Sequence, residues 1–465
     1  MNEQNHYRKI AQELNIRETQ VQKTVELLDS ENTVPFIARY RKEVTGNLDE
    51  EQIRSIEDSI RFLRVLDARK ETVLNSIEKQ GKLNDELKEK ILGATKLQEV
   101  EDLYLPYKPK RRTRATVARE KGLEPLAEMM LKLETEIENF DALVASFIDE
   151  EKGVNDAEEA LAGARDICAE NVSDDADVRK AIREHTRNKG LIHSEAKSKE
   201  GIINYEMYAD FSQPVKSIQS YRTLAINRGE REGILRVSVD IPVDQCVAII
   251  ERMYITNEIS PFFDHLKQAI ADSYNRLIAP SIEREIRSEL TEKADEHAID
   301  IFAKNLRNVL MQPPVNDATI MGIDPGFRTG SKVAVIDATG KFLKGITIYP
   351  HEPQKQWERS KQMLHEVIQK YNVQIIAIGN GTASRETEGL AIELIEESES
   401  DLAYIIVNEA GASVYSASKL AKEEFPELDV SMRGAISIAR RLMDPLSELV
   451  KIDPKSIGVG LYPHD

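Results

Sequence analysis

The most constraining stretch of this chain is the run Met321–Gly330, which sets a single carboxylate at the end of a short apolar segment and follows it at once with a turn. Ile320, Met321 and Ile323 form the apolar run, Pro325, Gly326 and Gly330 mark the turn, and Val333 and Val335 alternate before a second turn over Asp337–Gly340. This spacing predicts a β-meander continued by Phe342–Tyr349. Helical periodicity over Gln354–Tyr371 leads to a strand at Gln374–Ile378, a helix near Glu386–Glu397, a strand at Ala403–Val407 and a last helical region ending near Val450.

Three antiparallel strands followed by right-handed crossovers to parallel ones describe an RNase H-like sheet, with Asp324 at its active edge. Nucleases of that fold place two metal ions against the scissile phosphate, and several carboxylates from different elements must converge to hold them. Asp324 is the first candidate. The end of the fourth strand, where the next is expected, carries the neutral Asn380, so Glu409, Asp444 and Glu448 remain as acidic candidates. Asn380 weighs against cleavage. No cofactor is expected, and Mg²⁺ is called for only if the chain is a nuclease. A plainer reading makes Asp324 a turn residue that accepts the amides of Gly326 and Phe327. Both readings stay open at the level of sequence.

At 465 residues the chain has room for about three domains. The N-terminal two thirds is mainly helical by periodicity, over Tyr7–Leu14, Glu18–Leu28, Val34–Val44, Glu50–Leu66, Glu71–Leu97, Glu124–Leu133, Ile137–Phe147 and Ala157–His185. The first of these fit either a helix-turn-helix-like unit or an ordinary bundle, and pattern alone favours the bundle. Short, partly alternating segments, Asn204–Phe211, Arg236–Ile241 and Val247–Ile249, follow between Ile202 and Ile249, after a polar stretch, Gly190–Gly201, that reads as a domain edge or hinge. A long helical stretch, Asp264–Leu310, ends at the proline break Gln312–Val315. The class is therefore multidomain and mostly α, with helical N-terminal and central domains ahead of an α/β RNase H-like domain.

The formal net charge of −18 argues against a surface coated in nonspecific phosphate contacts. Local sign differs. Lys108, Lys110, Arg111, Arg112, Arg114, Arg119 and Lys121 stand against the single acid Glu120, and the first five are the candidate nucleic-acid contacts. The preceding Leu103–Tyr107 reads as an ordered extended segment. A solvated basic face is the alternative.

Cys168 and Cys246 lie apart in apolar-periodic surroundings, which points to inert thiols in a reducing compartment. The eight histidines show no ligand spacing, and no phosphate-loop motif occurs. Trp357, at the start of a helix, is expected to pack against the sheet. No apolar run is long enough for a membrane span and the N-terminus lacks the regions of a signal peptide, so a cytoplasmic protein without membrane association is expected.

Four segments carry a resemblance: Val34–Gly46, Leu103–Arg114, Asn227–Glu230 and Arg440–Leu446 resemble the bacterial Tex family of transcription accessory proteins, and the likeness extends over essentially the whole chain. The resemblance implies a Tex-like N-terminal helical domain with a helix-turn-helix-like part (1–190), a central, mainly helical region (191–315) and a YqgF-type RNase H-like domain (316–455). It also implies that 456–465 is the stub of a helix-hairpin-helix region, which family members follow with an oligonucleotide-binding barrel. The functions it implies are RNA or DNA binding and association with the transcription machinery, as a non-catalytic scaffold with an incomplete acidic set. Two readings from other classes stand beside it: a metal-dependent nuclease or junction resolvase using Asp324, Glu409 and Asp444, and a truncated, purely protein-binding remnant. A further one takes Asp324–Gly326 and Gly379–Thr382 as phosphate loops of an actin-like ATPase, which needs a second related domain that the sequence does not display.

Overall fold

Apolar residues at three- and four-residue spacing fold the first eighty residues into helices around one core. Tyr7 and Ile10 of Glu3–Leu14, Val21 and Val25 of Glu18–Asp29, and Val34 and Ile37 of Val34–Tyr40 meet Ile53, Ile56 and Ile60 of the long helix Glu50–Lys79. Thr33 and Asp49 cap the last two of these helices by accepting the amides of Phe36 and Gln52. The computed structural model describes residues 3–109, 111–198, 200–398 and 401–458. These fall into two units: Met1–Ile218 with Gly233–Glu289, and Gln219–Glu232 with Leu290–Asp465. The protein is multidomain and mostly helical, with an α/β region at its C-terminal side. No helix among the described residues is long and apolar enough to cross a membrane.

In the first unit, the polar stretch read as a hinge carries a strand. β1 (Leu191–Ala196) lies between β2 (Asp210–Pro214) and β3 (Leu235–Asp240) in an antiparallel sheet. Ser194 is fully buried in β1 because its hydroxyl donates to the Tyr208 carbonyl at 2.7 Å, which offsets the cost of desolvating it. Asn204–Phe211 forms short 3₁₀ turns before entering β2, and Val247–Ile249 lies inside the helix Val243–Tyr254.

The second unit contains the expected five-stranded sheet: β4 (Ile320–Asp324), β5 (Ser331–Ile336), β6 (Phe342–Ile348), β7 (Ile375–Gly379) and β8 (Ala403–Val407), in the order β6-β5-β4-β7-β8. The first three strands are antiparallel, whereas β7 and β8 run parallel to β4. Both faces are covered, as a parallel sheet requires. Met321, Ile323, Ile376 and Ile378 pack with Leu364 and Leu390 of the helices Trp357–Tyr371 and Ser384–Glu396. Their neighbours in the strands, Ile320, Ala334, Ile336 and Ala377, pack with Ala435, Ile436 and Ala439 of the helix Val430–Met443. That helix approaches so closely that a Cβ on Gly322 would lie 2.2 Å from the Ala435 carbonyl oxygen. Glycine at 322 is what lets the sheet centre and the last long helix meet.

Candidate functional site

The buried apolar run of β4 ends at Asp324, and the parallel β7 ends beside it at Gly379, in register Ile323 to Ile378. Asp324 and Glu409 are thereby brought together. Burial, reinforced by the Glu409 charge and opposed by Lys332, pushes the Asp324 carboxyl up to about 6. Glu409 follows β8 and is held by its own amide, which donates to the Asn380 side-chain oxygen at 3.0 Å. Its carboxylate fills the space left by two glycines: a Cβ on Gly379 would lie 2.2 Å from Oε2, and one on Gly381 only 1.8 Å from Oε1. Glu409 Oε2 is buried without a hydrogen-bond partner. Asn380 therefore stands where a second carboxylate was sought and fixes the backbone that presents Glu409.

The other acids lie elsewhere. Asp444 caps the helix Pro445–Leu449, accepting the Ser447 amide at 3.0 Å and the Ser447 hydroxyl at 2.6 Å, and these bonds hold its pKa below the usual carboxylate value. Glu448 is buried and accepts the Ser437 hydroxyl and the Lys451 ammonium, each at 2.8 Å. On the helix Val430–Met443 the position facing Asp324 is Gly434, where a Cβ would lie 3.0 Å from Oδ2. No set of three His, Cys, Asp or Glu residues able to hold a metal ion occurs among the described residues. Two carboxylates at 324 and 409, with glycine opposite, do not fit a two-metal centre. The turn reading of Asp324 is also corrected, since the Gly326 amide donates to Ser331 Oγ at 3.3 Å.

The basic segment belongs to the first unit. Leu103–Tyr107 is not extended: the helix Leu97–Tyr104 runs directly into a 3₁₀ turn, Leu105–Tyr107, tied to the long helix by Gln80 Nε2 donating to the Tyr107 carbonyl at 2.9 Å. Thr113 then caps Arg114–Glu120. Lys108, Arg111, Arg112 and Arg114 are exposed, Arg112 pairing with Glu120 at 2.7 Å, whereas Lys108 and Arg111 have no ion-pair partner among the described residues. Lys110 lies outside the described residues. Arg119 and Lys121 turn inward, to Glu170 at 3.1 Å and to the Gly153 carbonyl at 2.6 Å.

Sequence reasoning passed over two features. One is the exposed set Arg39, Arg41 and Lys42 with Tyr40, which is 60% exposed; its signal was the alternation of cations and aromatics in Phe36–Lys42. The other is an open pocket of about 900 Å³ in the second unit, walled by Phe327, His351 and Trp357. Its residues are scattered along the chain and carried no joint signal.

Three family models match the chain: the Tex-like protein N-terminal domain over residues 4–78, the Tex central region-like model over 137–302 and the Tex protein YqgF-like domain over 318–443. The chain is 50% identical over 459 residues to the uncharacterized protein YdcI of Bacillus subtilis, covering 98% of this chain and 64% of that protein. It is 45% identical over 468 residues to the transcriptional accessory protein Tex of Neisseria gonorrhoeae, covering 98% and 60%. A human protein named S1 RNA-binding domain-containing protein 1 is 35% identical over 460 residues, covering 95% and 46%. The chain thus spans about 46–64% of the length of these relatives.

Proposed function

Because the chain belongs to the Tex family of transcription accessory proteins, we propose that it binds nucleic acid, RNA foremost, as a non-catalytic scaffold associated with the transcription machinery. The RNase H-like domain is then a platform. The observation that carries this reading is Gly434: the last-helix position facing Asp324 bears no side chain, while Asp444 is used as a helix cap. Two-metal catalysis needs carboxylates from several elements at one point, and among the described residues only Asp324 and Glu409 supply them. Of that pair, Asp324 is held with a raised pKa by burial and by the Glu409 charge, and Glu409 has an unpartnered oxygen. The exposed cations Lys108, Arg111, Arg39, Arg41 and Lys42 are the proposed phosphate contacts.

The test is a titration of labelled single-stranded RNA, single-stranded DNA and duplex DNA at several salt concentrations with Mg²⁺ present, followed by sizing of the oligonucleotide. Salt-dependent binding with the strand intact is expected. The double variant Lys108→Glu, Arg111→Glu should flatten the slope of log K against log salt by about 1.4 for a single strand, about 0.7 for each phosphate that is no longer neutralised. Shortened products that vanish in Asp324→Asn would overturn the non-catalytic reading, and absence of binding would overturn the scaffold reading for this chain.

A further inference from the structure

The pocket walled by Phe327, His351 and Trp357 has a geometry that the carboxylate site does not explain. Phe327 follows the Asp324 turn, His351 follows β6, and Trp357 opens the next helix. Their rings meet edge to face: the Phe327 and His351 centroids are 5.7 Å apart, and those of His351 and Trp357 6.2 Å. Trp357 packs in part against the sheet's core, as its sequence position suggested, and its indole N–H donates to Glu393 at 3.0 Å. The ring is therefore held in place before any ligand arrives, which lowers the ordering cost of binding.

His351 supplies the second observation. It is 93% buried yet lines the pocket. The Thr387 hydroxyl donates its proton to the Ala383 carbonyl at 2.8 Å, so it can only accept from His351 Nε2 at 3.1 Å. That assigns the proton to Nε2 and leaves Nδ1 as a lone-pair acceptor. Burial, opposed by the Glu386 charge, lowers the His351 pKa and so favours the neutral ring. Nδ1 has no partner among the described residues.

The rim carries an unpaired cation that a phosphate could meet. Arg385 of the rim, in the first turn of the helix Ser384–Glu396, is exposed and has no ion-pair partner among the described residues; the same holds for Arg328, which follows Phe327 in the chain but is not itself a lining residue. Lys355 is paired with Glu352, and Glu386 is the remaining acid at the rim. Gln354 Nε2 donates to the Arg328 carbonyl at 3.2 Å, joining the loop that bears Phe327 to the one that bears His351.

We propose that this pocket receives one unstacked nucleobase of a single strand, held against the aromatic walls, with an exocyclic amine donating to His351 Nδ1 and the flanking phosphates meeting Arg385 and Arg328. The proposal rests on the nucleic-acid reading above and deepens it. A proline or aliphatic side chain of a protein would fill the walls but has no donor for His351 Nδ1, and it gains nothing from the unpaired arginines. Cytosine presents an amine where uracil presents a carbonyl, so the pocket discriminates between two bases of equal size.

Trp357 is the only tryptophan of the chain, so its emission reports this pocket directly. The experiment titrates the whole chain with dodecamers of cytidylate and of uridylate, reading tryptophan emission and, in parallel, the anisotropy of the end-labelled strands. Saturable quenching by oligo(C), with the same midpoint as the anisotropy and several-fold tighter than for oligo(U), is the expected result. Phe327→Ala should weaken oligo(C) binding by about 5-fold or more, the loss of one stacking surface, and Arg385→Glu should weaken both oligomers. An anisotropy rise with unchanged emission, and with Phe327→Ala like the parent, would overturn the pocket proposal while leaving nucleic-acid binding intact. No anisotropy change with either strand would remove both. Quenching by a proline-rich peptide without quenching by either strand would reassign the pocket to a protein partner and so overturn the proposal.

Discussion

Two buried charged clusters in this molecule are built in opposite ways. In the first unit, Asp102 accepts a bidentate pair of bonds from Arg183, both at 2.8 Å, and further bonds from Arg179 at 3.3 Å and Gln98 at 3.1 Å. Glu285 closes the set by accepting from Arg183 at 2.8 Å and from Arg179. Asp102, Arg179 and Arg183 are each no more than 5% exposed, and every carboxylate oxygen of Asp102 and Glu285 has a donor. In the second unit, Asp324 and Glu409 face each other with like charge, Glu409 Oε2 has no partner, and the nearby Arg441 leaves its Nε unpaired. The first cluster joins helices distant in sequence. The second stores an unfavourable interaction at the edge of a sheet. Satisfied charge marks where this fold is held together, and unsatisfied charge marks where it is held ready.

The largest effect is expected at the satisfied cluster. Asp102→Ala leaves two buried guanidinium groups with one carboxylate between them and should cost about 3–5 kcal/mol. Far-UV circular dichroism in urea checks this, because it follows the mostly helical first unit, whereas tryptophan emission follows Trp357 in the second. A drop in the dichroism midpoint is the expected outcome; a change under about 1 kcal/mol would mean that the network adds little beyond packing.

The opposite sign is expected at Asp324. Its folded pKa of about 6 lies above that of an unfolded aspartate, so the fold is favoured most with the acid protonated. That stability is fully present below about pH 4 and is lost as pH rises through about 6. Asp324→Asn should therefore match the parent at pH 4 and exceed it by roughly 1–3 kcal/mol at pH 7.5. Tryptophan-monitored unfolding across this range is the measurement. Equal stability at both pH values would show that the pair carries no repulsion, and the two clusters would then not differ in kind.

The sheet of the second unit was legible because its apolar pattern switches period where the elements do: Val333 and Val335 alternate in β5, and Leu364 and Ile368 recur at helical spacing in the next helix. Asp324 was legible as the end of a buried strand for the same reason. The small sheet of the first unit was legible only at β3, which coincides with the alternating segment Arg236–Ile241; β1 was not, because His193, Ser194 and Glu195 are polar and the burial of Ser194 depends on partners as distant as Tyr208 and Val237. What Asn380 does could not be read either, since its bond to the Glu409 amide spans β7 to β8. The aromatic pocket was invisible for a related reason. Trp357 alone reads as a core residue, which it partly is, and its role as a wall depends on Phe327 and His351 arriving from other loops. Local pattern is written in the sequence; convergence of distant side chains is not.

The smallest effect is expected at Asp444, and it decides whether that residue belongs with the satisfied or the unsatisfied charges. Its carboxylate accepts both the amide and the hydroxyl of Ser447, a helix-capping arrangement with all the bonds local. Asp444→Ala should cost about 1 kcal/mol, the usual value of an N-cap. Because the Ser447 bonds hold the pKa down, that contribution is present above the unfolded carboxylate's pKa of about 4 and fades as pH falls below it, the reverse of Asp324. Adding Mg²⁺ separates a cap from a ligand. A cap gives the same loss with and without the ion, because its bonds do not involve it. A ligand gives a parent protein that Mg²⁺ stabilises and a variant that it does not. The second outcome would place Asp444 beside Asp324 and Glu409 and restore the third carboxylate that Gly434 leaves out, whereas the first keeps the sheet edge a platform for binding.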